Sequence, residues 1–214
     1  MAIYVEFNVK HTRFENNCPI FCSFAPNILA DWLIHDATHG DGYHAGIGSI
    51  GGSIFAGNIN IHGGDIEATG GKYGAGIGGG DNTGFDNDKT RGGLTVYDGT
   101  VTATGGEYGA GIGGGNEGNG AKFTMFGGKV TVTADDNNEH AAGIGGGDEG
   151  NSSAVKIFGG TVNATGSSFS AGIGCGLSGT TTDICIYAGT VNATGGKNGG
   201  AGIGGCKTLT WAAA

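Results

Sequence analysis

The stretch GAGIGGG at residues 74–80 decides the fold, because close variants of it return along the whole chain. An earlier variant, HAGIGSIGG, begins at residue 44, and the later copies read GAGIGGG, AAGIGGG, SAGIGCG and GAGIGGC. The alanines of the six copies are separated by 30, 35, 32, 29 and 30 residues, and they are Ala45, Ala75, Ala110, Ala142, Ala171 and Ala201. A recurring period in this range is typical of stacked-repeat proteins. The phrase therefore predicts a scaffold built from repeated units.

Two further segments in each repeat alternate apolar and polar residues. The first reads NINIH from residue 58 and LTVYD from residue 94, and the second reads DIEAT from residue 65 and TVTAT from residue 100. Alternation with a period of two predicts a strand that has one buried face. The AGIG phrase alternates Ile with Gly and predicts a third strand. Three short strands separated by Gly-rich corners make one coil of a parallel β-helix.

We therefore predict an all-β protein, a right-handed parallel β-helix (a β-solenoid) with three short strands per coil and about six coils of roughly 30 residues. Residues 43–214 are interpreted as the repeats and residues 1–42, which do not repeat, as an N-terminal cap. Within the cap, NILADWLIHDATH has a helix-like spacing of apolar residues. A cap has a physical purpose, because the open end of a β-helix exposes unpaired strand edges.

Equivalent positions of stacked coils lie above one another, so the aromatic residues are expected to form two ladders. We favour structural stacking over a ligand platform for both. The first ladder is predicted to contain His62, Tyr97, Phe126, Phe158 and Tyr187, and the second Tyr43, Tyr73, Tyr108, His140 and Phe169.

Composition and charge argue against several classes of partner. Gly accounts for 51 of 214 residues and Pro for only 2, which is unlike collagen. The formal net charge of -9, without any cluster of Lys and Arg, predicts no nucleic-acid partner. No apolar run approaches the roughly 20 residues of a membrane span, and no signal peptide is visible at the start. The cysteines permit two disulfides and one free thiol, or none, at Cys18, Cys22, Cys175, Cys185 and Cys206.

The unit TVxATGGxYGAGIGGG, repeated over roughly residues 43–211, resembles the Gly-rich β-solenoid repeats of bacterial surface and secreted proteins, often described as carbohydrate-binding or adhesin-like. The resemblance implies a right-handed β-helix, an extracellular setting and contact with a glycan. It brings no catalytic motif, so no catalytic residue is carried over. The final KTLTWAAA fits the start of another coil, with Leu209 and Trp211 in inward columns, so we expect a segment of a longer chain.

These features lead to a non-catalytic structural or adhesive segment of a secreted or cell-surface protein as the first hypothesis. A polysaccharide lyase or glycoside hydrolase on a β-helix is the alternative, because such enzymes group carboxylates along one groove. An ice-binding solenoid is a minor alternative suggested by TVTAT at residues 100–104. Grouped carboxylates would favour the enzyme, and scattered ones the scaffold.

Two sets of residues are candidates for metal binding, although no cofactor is required. The turns after GIGGG carry oxygen ligands of the kind that Ca²⁺ prefers. In the N-terminal region, His35 and His39 have the i, i+4 spacing that puts two ligands of a transition metal on one face of a helix. The candidate calcium ligands are Asp81, Asn116, Glu117, Asp148 and Glu149.

The glycines of the AGIG phrase are candidates for an interface. If Ile points inward, the alternating glycines form a flat outer strip that suits close approach by a second copy or a neighbouring module. A tight corner that only Gly fits is the other interpretation. The interface candidates are Gly76, Gly111, Gly143 and Gly172.

Overall fold

The computed structural model describes most of the chain from residue 27 onward, and every structural statement below concerns the described residues. They are residues 27–30, 34–37, 42–52, 57–83, 93–120, 122–135 and 140–207.

Each coil contributes one strand to each of three parallel sheets, and every described sheet has six strands. Sheet A contains β1 (Asn27–Ala30), β4 (Asn58–Ile61), β7 (Gly93–Val96), β10 (Phe123–Met125), β13 (Val155–Ile157) and β16 (Ile184–Ile186). Sheet B contains β2 (Ile34–Ala37), β5 (Asp65–Thr69), β8 (Thr100–Thr104), β11 (Lys129–Thr133), β14 (Thr161–Thr165) and β17 (Thr190–Thr194). Sheet C contains β3 (Ile47–Gly48), β6 (Ile77–Gly78), β9 (Ile112–Gly113), β12 (Ile144–Gly145), β15 (Ile173–Gly174) and β18 (Ile203–Gly204). Coils 1 to 6 are the successive triplets of strands, so coil 1 is β1–β3 and coil 6 is β16–β18.

The prediction of a right-handed parallel β-helix with three strands per coil is confirmed. The repeats stack in the predicted register, with Val130 beside Val101 in sheet B and Met125 beside Val96 in sheet A. Alternation holds as well, since the apolar positions of β8 and β11 are buried and their polar positions are more exposed. The predicted isoleucine ladder is fully buried at Ile77, Ile112, Ile144 and Ile173.

Two described strands lie within the segment predicted to be a cap. β1 pairs in parallel with β4, and β2 pairs with β5, so both belong to the stack of coils. The helix-like spacing around residues 27–37 does not produce a helix, because both segments are strands. A short apolar run fits either period, and pairing with the next coil decides between them. Residues 1–26 and the predicted inward residues Leu209 and Trp211 lie outside the described part.

The predicted exposed glycine strip is also wrong. Gly76, Gly111, Gly143 and Gly172 are buried. A Cβ added to Gly76 would lie 2.7 Å from the carbonyl oxygens of Thr104 and Gly111, both in the next coil. The strands of sheet C have two residues each, and atoms of the next coil in the stack occupy the place that a side chain would need. The corner interpretation therefore describes these glycines, and they offer no bare surface to a partner.

Candidate functional site

The first predicted aromatic ladder forms along the outer side of sheet A. Neighbouring rings are stacked, with centroids 4.5 Å apart between His62 and Tyr97 and 5.4 Å apart between Tyr97 and Phe126. The next spacings are 5.2 Å and 4.7 Å, and the interplanar angles of the four pairs stay between 2° and 11°. The rings remain open to solvent, with exposed fractions of 43% for Tyr97, 48% for Phe126, 40% for Phe158 and 62% for Tyr187.

This stacking determines what the ladder can bind. Each internal ring has a neighbouring ring on both faces, so its edge is what solvent meets. A sugar that stacks on an aromatic side chain needs a free ring face. The ladder is therefore a stabilising stack, as predicted, and its internal rings are not a platform for sugar rings. At its last ring, the neighbouring Cys185 thiol raises the pKa of Tyr187.

The second ladder lies at the corner that precedes sheet C. Tyr43 and Tyr73 stack at 5.3 Å, Tyr73 and Tyr108 at 5.1 Å, and His140 continues the ladder with its ring tilted by 32°. Lys72 Nζ lies 5.3 Å from the Tyr73 ring centroid and 3.2 Å from Oε2 of Glu107. The hydrogen bond to Glu107 raises the pKa of Lys72.

The acidic turns stack beside this second ladder. Asn116 Nδ2 donates a hydrogen bond to Asp81 Oδ1 at 2.9 Å, so equivalent residues of coils 2 and 3 are in contact. The backbone N–H of Glu117 donates to the carbonyl oxygen of Asp148 at 2.9 Å, which connects coils 3 and 4. Glu117 and Glu149 both adopt a left-handed backbone conformation with φ of 53°, and their side chains are exposed.

Asp148 has a partner that the sequence did not indicate. Its Oδ1 lies 3.1 Å from His140 Nδ1, and both side chains are largely buried. Burial raises the pKa of Asp148, although the nearby His140 opposes that shift. The two residues flank the AAGIGGG phrase with the same eight-residue spacing as Tyr73 and Asp81 in coil 2. The corner formed by this phrase brings the ladder ring and the turn residue of one coil together, and in coil 4 these two residues are a His and an Asp.

The described residues contain no group of three or more His, Cys, Asp or Glu side chains that could hold a metal ion. The turns bring Asp81 together with Asn116, and Asp148 together with His140, rather than collecting all five candidate ligands. Calcium binding there stays a prediction. His35 lies on strand β2 rather than on a helix, so the helical argument for a His35–His39 site fails, and His39 lies outside the described part.

The outer face of sheet B is the most regular polar surface in the described structure. Its side chains alternate with Val and Ala along β8, β11, β14 and β17, which are paired in register, and these Val and Ala residues are buried in β8, β11 and β14 and partly buried in β17. Asn192 Nδ2 donates to Asn163 Oδ1 at 2.9 Å, which joins coils 5 and 6. We name this surface in coils 3–6 the Thr/Asn face, and it consists of Thr100, Thr102, Thr104, Lys129, Thr131, Thr133, Thr161, Asn163, Thr165, Thr190, Asn192 and Thr194.

One disulfide links the last two coils. Cys175 and Cys206 are bonded, with their Cα atoms 5.6 Å apart and a sequence separation of 31. Cys185 is a free thiol, and Cys18 and Cys22 lie outside the described part. The sequence left this pairing open, because the spacing of five cysteines does not select partners.

In the described part of the chain, no helix is long and apolar enough to cross a membrane. A family model for the beta helix repeat matches five segments, residues 59–81, 94–116, 123–148, 155–177 and 184–205. Comparison with curated proteins found no match, and comparison with solved structures found none either. The five matched segments make up more than half of the chain and follow coils 2 to 6. The chain therefore belongs to the beta helix repeat family.

Proposed function

We propose that this chain is a non-catalytic structural or adhesive segment of a secreted or cell-surface protein. The observation that carries the proposal is the uninterrupted stacking of equivalent residues in all three sheets. Inward positions form continuous apolar ladders from coil 2 to coil 5, and outward positions are mostly Thr, Asn and aromatic side chains. Such a repeating surface is suited to a rigid support or to contact with a repeating partner.

The disulfide supports an oxidising compartment. Disulfides persist in secreted and surface proteins, whereas thiols in the cytosol are kept reduced. The Cys175–Cys206 bond joins two turns that already pack together, and Cys206 Sγ lies 3.2 Å from the carbonyl oxygen of Gly179. An extracellular position agrees with the setting implied by the resemblance to bacterial surface repeats.

The competing enzyme hypothesis depends on carboxylates that could act together. Asp65 and Glu67 lie on the same outer face of β5, about 7 Å apart along the strand. That separation is compatible with the two carboxyl groups of an inverting glycosidase, so Asp65 and Glu67 are the pair on which the enzyme hypothesis rests. Their neighbours in the next coil are Thr100 and Thr102, and strands β8, β11, β14 and β17 carry no carboxylate. No groove of grouped carboxylates therefore extends along these four strands, which favours the scaffold over the polysaccharide-processing enzyme.

The proposal is tested by locating the protein and by searching for catalysis. Antibody labelling of intact cells that express the native chain should detect it at the surface or in the medium. Incubation with a panel of neutral and acidic polysaccharides should release no reducing ends and no unsaturated products. Product release that disappears in Glu67→Gln would replace the proposal with the enzyme, and a protein confined to the cytosol would remove the extracellular assignment.

A further inference from the structure

We propose that the Thr/Asn face binds an uncharged, extended polysaccharide chain that lies parallel to the solenoid axis. The inference rests on the proposed function, because it gives the adhesive segment a ligand class and a surface. It goes beyond that function in naming one of the three sheets and excluding charged glycans.

The spacing of polar groups on this face suits a linear sugar polymer. Parallel strands repeat about every 4.8 Å, so each column presents a new hydroxyl or amide at that interval, with Lys129 as the one exception. One pyranose unit of an extended chain has a similar length. From coil 3 to coil 6 the face spans roughly 14 Å between its first and last strands, which accommodates about four sugar units at one contact per coil.

The face is also ordered before any ligand arrives. Thr has restricted χ1 freedom because its side chain is branched at Cβ, and neighbouring strands hold each column in register. The Asn163–Asn192 hydrogen bond orients two amides while leaving further donors and acceptors available to a ligand. Little side-chain entropy therefore remains to be lost when hydroxyl groups of a sugar bind.

The charge of the face and of the chain favours a neutral polysaccharide over an anionic one. Of the twelve residues of the Thr/Asn face, only Lys129 is charged, whereas Asp65 and Glu67 lie in coil 2 at its N-terminal side. The chain as a whole carries a formal net charge of -9, which repels an anionic polysaccharide. A protein partner is a poorer fit, because the centres of protein interfaces are rich in aromatic and apolar anchors that this face lacks.

The other two faces are less suitable. On sheet A, the internal ladder rings cover one another, and the neighbouring polar column includes Lys156 and Cys185 among its members. On sheet C, each strand has two residues and the glycines beneath the corner are buried. The Thr/Asn face is the one that combines exposure, width and an uncharged repeating pattern.

The experiment compares two double variants that add the same charge in the same two coils. Thr102→Glu with Thr131→Glu alters the Thr/Asn face, and Thr95→Glu with Thr124→Glu alters the outer side of sheet A as a matched control. Affinity electrophoresis through soluble β-glucan, mannan and anionic alginate reports binding. We expect a neutral polymer to retard the wild type, the first variant to bind about tenfold more weakly and the control to bind as the wild type does.

A further variant keeps the test valid if glutamate disturbs the fold. Thr102→Val with Thr131→Val preserves β-branching and removes the hydroxyls, so it should stay folded and also lose affinity. Equal retardation of both glutamate variants would overturn the assignment of the face while leaving the structural function in place. Absence of wild-type binding to neutral polymers, or preference for alginate, would overturn the ligand class. Thermal hysteresis that is lost only in the Thr/Asn variants, without polysaccharide binding, would assign the face to ice instead.

Discussion

At the scale of single residues, glycine has two separate tasks in the AGIG corner. Gly78, Gly113 and Gly145 have φ between 140° and 144°, a conformation that side chains with a Cβ rarely adopt. Gly76 and Gly111 are instead required by close approach. Backbone of the next coil fills the space where a side chain would lie at Gly76, and a Val132 methyl together with backbone fills it at Gly111. Gly is thus repeated in the sequence because the coils are crowded at these positions, and not because the glycines form an outer contact surface.

Gly111→Ala tests this interpretation at one position. The new methyl group would overlap a Val132 methyl and lie 3.0 Å from the carbonyl oxygens of Thr133 and Gly143. Because Val132 is buried and β-branched, its methyl cannot easily turn aside, and we expect a loss of about 1–3 kcal/mol in the free energy of unfolding, measured by urea denaturation. Gly63→Ala is the matched control, since nothing lies within 4 Å of its added Cβ. Equal stability of the two variants would contradict the crowding argument.

At the scale of structural elements, the stacking of coils brings single aromatic residues, widely separated in the sequence, into one continuous ladder beside sheet A. Phe126 contacts two rings, at 5.4 Å and 5.2 Å, whereas Tyr187 contacts one described ring at 4.7 Å. The spacing follows directly from the separation of neighbouring strands, because each ring is fixed to a strand end at the same corner. The ladder should therefore stabilise the coils in proportion to the number of neighbours that each ring has.

Replacement of a ring in the middle of the ladder should cost more than replacement at its end. Aromatic pairs contribute about 0.5–1.5 kcal/mol each beyond their buried area, so Phe126→Ala should lose roughly 1–3 kcal/mol of unfolding free energy. Tyr187→Ala should lose about half of that, and Phe126→Tyr should retain wild-type stability. Denaturant midpoints report the three values. A Tyr187→Ala variant as unstable as Phe126→Ala would argue against additive stacking.

At the scale of the whole molecule, protection of the core decreases in the last described coil. Ile186 and Ile203 are each 43% exposed, whereas Ile157 and Ile173, one coil earlier, are fully buried. The disulfide between Cys175 and Cys206 joins this coil to coil 5, at the position where fewer packing contacts hold it. In a stack where each coil contacts only its neighbours, the disulfide should stabilise coils 5 and 6 and have little effect on the other coils.

Removal of the disulfide should therefore release coil 6 while leaving the middle of the stack intact. Cys175→Ser with Cys206→Ser opens a closed loop of 31 residues, for which the loss of stabilisation is about 3–4 kcal/mol. Hydrogen exchange should become faster at residues 184–204 and stay unchanged at residues 100–133. Cys185→Ser, which removes only the free thiol, is the control. Unchanged exchange in coil 6 would show that packing alone holds it.

The sequence by itself determined the coil, its three strands and the direction of the apolar ladders. Alternation along a strand and translation from one coil to the next are both periodic, so Ile77, Ile112 and Ile144 could be placed in one buried column from their spacing. The aromatic ladder from His62 to Tyr187 was predictable for the same reason.

Tertiary structure decided the features that depend on contacts between non-equivalent positions. Residues Asn27–Ala30 belong to coil 1 because β1 pairs with β4, although the sequence of β1 lacks the repeat. The glycines of the corner are buried because atoms of the next coil lie where their side chains would be. Cys175 meets Cys206 across coils 5 and 6, and His140 meets Asp148 across the AGIG corner within coil 4. The period of the sequence predicts which equivalent residues of successive coils stack on one another. The distances between residues at different positions of a coil depend on how the chain bends at its corners.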